Sequence, residues 1–369
     1  MLTVYYRKGD LLIPTNPDLT ISTSIATGIS DISDTPEAAD RAGITLPVTA
    51  DTLTLPVSAD TLPQNALWID MLNPTPEEET RVEAWVNIPI PTREDMREIE
   101  ESSRFYSENG AQYLTAPFLH LSDGNHRIVS PVTFIMTDKL LISVRYAEPK
   151  PFAIYVARTA KSGNGLVNSR TNSLCILLGI IEANTNRLAD FIEGVSEKID
   201  TASHRIYRRE TNMRPMSNQS FREILNEIGS HGTFLSRMRE SLAGIRRLLV
   251  YITANSSAKT QAKDTRSWLK TLERDTQSLE NYVDFLSNKI NFLLDTIVGL
   301  ISVEQNAIIK IFSVAAVGFM PPTLIASIYG MNFSFMPELT EKWGYPLALV
   351  VMVISALIPL YFFRKKGWL

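Results

Sequence analysis

Apolar positions along this chain change period between its first half and its second. In the first part, TVYY (3–6), ALWIDML (66–72), QYLTAPFLHL (112–121), VTFIMT (132–137) and LLISVR (140–145) are short alternating or continuous apolar runs, which predict strands. PEEETRVEAW (76–85) and PTREDMREIEESSRF (91–105) read as helices. Together they predict an α/β domain over 1–165. From about residue 171 the apolar spacing becomes three and four. SLCILLGIIEANTNRLADFIEGVSEKID and FREILNEIGSHGTFLSRMRESLAGIRRLLVYI, on either side of NMRPMSN, predict long antiparallel helices within 166–262. After the polar link TANSSAKTQAKD, Leu272, Leu279, Leu286, Leu293 and Leu300 recur every seven residues, with Val283, Ile290 and Ile297 at the four-residue offset. That is a heptad seam. No proline occurs between Pro215 and Pro321, so this third helix can run unbroken to Tyr329. About 60 residues of helix reach on the order of 90 Å at ~1.5 Å per residue.

The end of the chain is apolar. IFSVAAVGFMPPTLIASIYG (311–330) and WGYPLALVVMVISALIPLYFF (343–363) carry no charge, and each can cross ~30 Å of hydrocarbon. Both contain proline, which membrane helices tolerate. Trp343, Tyr345 and Tyr361 stand where an aromatic belt is expected, and Arg364, Lys365 and Lys366 place the C-terminus in the cytosol by the positive-inside rule. At the other end, Arg7 and Lys8 interrupt MLTVYYRKGDLLI before any signal-peptide core, which predicts a cytosolic N-terminus. Two spans with both ends inside put 331–342 on the far side. The predicted segments are therefore a cytosolic domain (1–165), long cytosolic helices (166–262), a stalk helix with the first span (263–330), a periplasmic loop (331–342), and the second span with a basic tail (343–369).

Charge divides unevenly between these zones. Residues 1–164 hold 13 Lys/Arg against 22 Asp/Glu, whereas 165–369 hold 23 against 18. An acidic front half argues against nucleic acid, which requires a basic patch, and suits divalent cations. Within it, 15–64 is rich in Thr, Ser, Pro, Asp and Ala with Arg41 as its single basic residue, and reads as a flexible insertion. It contains a nine-residue duplication, TLPVTADTL then TLPVSADTL, too short to be a solenoid. Cys175 is alone and reads as buried core. His120, His126, His204 and His231 lack ligand spacing. SGNG (162–165) is no phosphate loop and no nucleophile–His pair stands out, so an enzyme is the weakest reading.

The first span differs from a simple anchor. Asn306, Ser313, Met320 and Ser327 recur every seven residues, and Ala316, Thr323 and Gly330 follow at an offset of three. One face is thus small or polar. Such a stripe can pack helices together or line a water-filled path. Two spans cannot enclose a path, so transport requires several copies around an axis, with the first span inward and membrane lipid outside. A ring of Asn332 side chains would then offer uncharged amide oxygens at its mouth. That suits Mg²⁺, which takes oxygen ligands and keeps several waters. Glu338 and Glu341 would concentrate cations there, opposed by Lys342.

At these residues the chain resembles the CorA family of magnesium channels. YGMN (329–332) then FSFMPEL, a second span opening WGYP, a tail ending KKGWL, and the preceding ISVEQNAIIKIFSV and MPPTLIAS carry the resemblance, which covers about 280–369 closely. The insertion at 15–64 departs from the family pattern. The resemblance implies a cytosolic α/β domain, long antiparallel helices and a continuous stalk helix entering the first of two C-terminal transmembrane helices, in a funnel-shaped homopentamer of the bacterial inner membrane. It implies an outer selectivity ring at Gly330, Met331 and Asn332, polar pore rings at Thr323 and Asn306, and a hydrophobic constriction at Met320, Phe312 and Ile309. Asp295 matches the regulatory metal carboxylate, with Glu98 as its partner from a neighbouring subunit. Mg²⁺ would be both cargo and regulator. Rival readings remain open: a relative carrying Zn²⁺, Co²⁺ or Ni²⁺, coupled to protons or not, and a membrane-tethered sensor or scaffold without transport.

Overall fold

The computed structural model describes residues 1–15, 62–63, 65–121, 126–207, 218–255, 262–331, 336–337 and 341–367. Apart from Thr15, Leu62 and Pro63, the insertion and its duplication lie outside the described residues. Contacts divide the chain into two units, Met1–Ala202 with Asn226–Ile290, and Ser203–Leu225 with Asn291–Leu369.

In the first unit the described strands form one sheet. These are β1 (Leu2–Lys8), β2 (Leu11–Thr15), β3 (Ala66–Leu72), β4 (Phe105–Glu108), β5 (Ala111–Leu121), β6 (Arg127–Met136) and β7 (Leu141–Arg145), in the order β2-β1-β3-β7-β6-β5-β4. Every neighbouring pair is antiparallel except β3 and β7. The two strands that the apolar pattern left out, β2 and β4, are short edges made by hairpins. Gly9 (φ 65°) turns β1 into β2, and Asn109 and Gly110 (φ 51° and 78°) turn β4 into β5. Asn-Gly is the strongest local hairpin signal, because both residues accept positive φ.

Three helices complete the front of the chain. The first, α1 (Pro76–Val86), starts as predicted, with Thr75 and Glu78 forming a capping box. The helix expected over 91–105 is corrected. Thr92 and Asp95 bond each other's side chains and backbone, a single 3₁₀ turn follows at Asp95–Arg97, and Glu98 leaves it extended (ψ 142°). Only four residues, α2 (Glu101–Arg104), are α-helical before β4 begins. Of the segment's apolar side chains Met96 is buried, whereas Ile99 stands 84% exposed. A continuous helix would have set Glu94 against Glu98 at i,i+4 while burying almost nothing. The third, α3 (Lys150–Thr159), was not foreseen, although Phe152, Tyr155, Val156 and Thr159 are buried at helical spacing.

Next come the long helices α4 (Ser173–Tyr207), α5 (Asn218–Asn255) and α6 (Lys263–Tyr329). Cross-helix pairs set their directions. Asp200 pairs with Lys289 and Ser196 with Tyr282, while Arg239 pairs with Asp284 and Arg246 with Glu280 (2.7 Å). So α4 runs with α6 and α5 runs against both. Along α6, Leu272, Thr276, Val283, Leu286, Ile290, Leu293 and Ile297 of the heptad seam are buried, whereas Leu279 and Leu300 are half-buried. Thr276 fits that apolar row by giving its hydroxyl to the Leu272 carbonyl (2.7 Å).

The helices meet the sheet at close approaches. At Gly244 of α5 a Cβ would lie 2.2 Å from the Pro117 ring of β5, and Ser241 donates to the Pro117 carbonyl (2.7 Å). At Gly179 of α4 a Cβ would lie 2.2 Å from the Tyr155 ring. Cys175 is half-exposed rather than core, with Sγ 3.9 Å from Thr265 Oγ1 of α6. It occupies the first turn of α4, between the buried Leu174 and Ile176.

Candidate ion pathway

The helix α6 enters the apolar zone without a break. Its length through Pro321 and Pro322 matches the uninterrupted helix read from the sequence. Proline has no N–H, so the carbonyls of Val317 and Gly318 lose their usual donors, a cost that membrane helices accommodate. The last helix, α7 (Gly344–Lys365), follows. Both contain windows long and apolar enough to cross a membrane, and only 6% of the residues in each window are buried. A soluble core helix of that composition would be covered on most sides. These two must be covered by something other than their own chain.

The faces of α6 are unequal. Val314 is 7% exposed, and Val314, Gly318 and Pro322 face a groove shared with Met352, Val353 and Leu360 of α7. Met320 is two residues from Gly318, roughly 200° around the helix at ~3.6 residues per turn. Accordingly Asn306, Ile309, Phe312, Met320 and Thr323 are all exposed, with Phe312 at 71% and Met320 at 68%. The small or polar heptad stripe therefore lies within the wider part of α6 that α7 leaves open, where Ile308, Phe319 and Leu324 are exposed as well. Ser302 and Asn288 hold the same heptad position as Ile309 and Thr323 and are likewise exposed.

At the far end the α6 hydrogen bonds tighten. Gly330 donates to Ala326 (2.9 Å) and Met331 to Ile328 (3.2 Å), and Met331 is exposed. A Cβ at Gly330 would come 3.2 Å from the Ala326 carbonyl oxygen, tighter than ordinary contact. Asn332 and Glu338, both singled out from the sequence, lie outside the described residues. Glu341 and Lys342, in the turn before α7, are exposed.

Asp295 is exposed on α6, and Glu98 is exposed on the extended residue after the 3₁₀ turn. The Glu98 backbone is held by Arg104, whose Nε donates to its carbonyl (2.7 Å). Its carboxylate is therefore carried by a short turn and not by a helix face. Among the described residues, no three or more His, Cys, Asp or Glu side chains converge within one chain. A Mg²⁺ ion at Asp295 would take its remaining oxygens from water or from a second copy, in keeping with an ion that keeps several waters and few carboxylates.

A mixed α/β domain joined to long helices, the last of which continues into the first of two apolar C-terminal helices, defines a membrane protein with a large extramembrane front. Comparison with known proteins makes the class specific. Residues 63–365 match the family described as CorA-like Mg²⁺ transporter protein, and the chain belongs to that family. Its members are transport proteins, not enzymes. The magnesium transport protein CorA of Haemophilus influenzae Rd is 34% identical over 305 residues, covering 82% of this chain and 92% of that protein. The CorA of Escherichia coli K12 is 33% identical over 306 residues, covering 83% and 92%. Among solved structures, the complete CorA magnesium transporter from Methanocaldococcus jannaschii shares the fold with a TM-score of 0.68 at 19% identity, over 82% of this chain and 91% of that one. Full-length CmaX does so with a TM-score of 0.60 at 16% identity, over 83% and 90%.

Proposed function

We propose that this chain is a Mg²⁺ channel that admits the ion across the bacterial inner membrane through a homopentameric pore. The observation that carries the reading is the exposed stripe of α6 opposite α7. Five copies turning that stripe inward would give rings of Asn306, Thr323 and, at the mouth, Gly330, Met331 and Asn332. Family membership and the 33–34% identity to magnesium transport proteins support Mg²⁺ as the cargo. Uncharged amide and carbonyl oxygens hold a hydrated ion without trapping it, and conduction needs release as much as binding. Ile309, Phe312 and Met320, large apolar side chains on the same open face, form the constriction, which closes by excluding water.

Both termini are cytosolic, 331–342 is periplasmic, and Glu338 and Glu341 raise the local cation concentration at the mouth. Inside, Asp295 of one copy and Glu98 of its neighbour share a regulatory Mg²⁺. At high cytosolic Mg²⁺ the ion offsets carboxylate repulsion and the stalks stay closed. At low Mg²⁺ the repulsion returns and the constriction opens.

The test is Mg²⁺ influx into liposomes holding the purified protein and a trapped indicator, wild type beside Asn332→Ala, with Zn²⁺, Co²⁺ and Ni²⁺ as competitors. Wild-type influx that falls at least tenfold in the variant is expected. A folded oligomer with no Mg²⁺ influx, or one that carries Zn²⁺ instead, overturns the assignment of cargo.

A further inference from the structure

The groove between α6 and α7 has no part in conduction, because it lies on the face of α6 away from the stripe. It encloses about 570 Å³. Ala315, Gly318 and Pro322 line it from α6, and Val353, Ala356 and Leu360 from α7. Gly318 keeps it open: a Cβ there would meet only Leu360 Cδ2, at 3.9 Å.

Its length is informative. Lining residues run from 311 to 322 on α6 and from 352 to 360 on α7, which is roughly 16 Å and 12 Å of helix at ~1.5 Å per residue. That is about half of the ~30 Å hydrocarbon core, the depth of one leaflet. The groove then ends in charge. Arg364 stands four residues beyond Leu360, on the same side of α7, followed by Lys365 and Lys366, and Lys310 precedes the first lining residue of α6. From 296 to 337 the chain has one carboxylate, Glu304. An apolar slot one leaflet deep with a cationic foot complements one molecule in both shape and charge.

We infer that the groove binds an anionic phospholipid of the cytosolic leaflet, with one acyl chain between α6 and α7 and the headgroup phosphate against Arg364, Lys365 and Lys366. The inference rests on the topology proposed above, which places that tail on the cytosolic side. An acyl chain already lies in hydrocarbon before it enters the groove, so selectivity comes from the headgroup. A zwitterionic lipid brings its own cation to the phosphate, whereas an anionic one leaves its charge for the basic cluster.

Native mass spectrometry of the delipidated full-length protein, titrated with phosphatidylglycerol or phosphatidylcholine of identical chains, tests this. Phosphatidylglycerol is expected to load at about tenfold lower concentration. Replacing Arg364, Lys365 and Lys366 together by Gln should abolish that preference. Ala356→Leu and Gly318→Val, each filling the groove from a different helix, should lower phosphatidylglycerol occupancy several-fold at unchanged oligomer mass. Equal loading of the two lipids overturns the inference, as does undiminished preference in both groove variants. Disulfide formation between copies carrying Val353→Cys in a Cys175→Ser background also overturns it, because a second copy would then fill the groove. Binding is read by mass and not by flux, so its failure is separable from failure of the channel reading. The Asn332→Ala protein, whatever its conduction, should load lipid as wild type does.

Discussion

Asp70 and Arg145 show how single side chains hold the front domain in place. They form a bidentate pair across the one parallel junction, with Arg145 Nη2 2.7 Å and Nε 3.0 Å from the Asp70 carboxylate. Ser143 donates to the same carboxylate (2.7 Å), and Arg145 Nη1 reaches the Ala147 carbonyl (2.9 Å). Burial opposes the guanidinium charge, but the Asp70 charge and its hydrogen bonds outweigh it and raise the Arg145 pKa. Removing one partner strands the other. Asp70→Ala should cost about 3–5 kcal/mol, and Asp70→Ala with Arg145→Met should recover part of that loss, both read from unfolding of the solubilised protein. His231 gives a pH signature. Partial burial, reinforced by Lys198, lowers its pKa from 6.5, and Glu227 opposes the shift. Its neutral form therefore suits the fold, so stability is full above pH 6.5 and is lost as pH falls through the lowered value. His231→Gln should flatten that acid slope while leaving stability at pH 8 nearly unchanged.

Among the elements, the long helices were the most legible, because a seam repeated over many turns is hard to mistake. From Leu272 to Ile297 the seam reads as the covered face of α6, with Leu279 half-buried. The short elements were not. The strand β4 has four residues, two of them exposed, and depends on the Asn109-Gly110 turn rather than on apolar alternation. The expected helix around Glu98 failed for the converse reason: of its apolar side chains Met96 is buried while Ile99 is exposed, so it had little to anchor it. Of the candidate site, Asn306, Ile309, Phe312, Met320 and Thr323 stand exposed on α6, and their grouping was readable because a helix converts spacing into direction. The Asn332 and Glu338 readings rest on sequence, because both lie outside the described residues. In the proposed gating Asp295 would act on Ile309 along one helix, over fourteen residues or about 21 Å at ~1.5 Å per residue. Asp295→Ala should leave influx intact at low internal Mg²⁺ and weaken its inhibition by internal Mg²⁺ at least several-fold. Inhibition unchanged in dose response would remove Asp295 from regulation.

For the whole molecule, what a single chain leaves uncovered is the main guide to assembly. Its apolar spans are open on nearly all sides, and upstream, Phe285 (57% exposed) and Phe292 (59% exposed) lie off the buried seam of the stalk. Lipid can cover the apolar surface of α7. Thr323, inside the span, gives its hydroxyl to the Phe319 carbonyl (2.7 Å), and Asn306 precedes the uncharged run 311–330, so the assembly rests on the stripe as a whole and not on an unpaired polar group. In the proposed pentamer, copies of that stripe would face one another around water. Cysteine access in liposomes tests this arrangement most directly, using Thr323→Cys in a Cys175→Ser background with a charged thiol reagent added from the outside during Mg²⁺ influx. Modification is expected to stop influx, whereas Val353→Cys on the opposite side, treated identically, conducts as before. Full influx through modified Thr323→Cys would contradict a pathway lined by this face of α6.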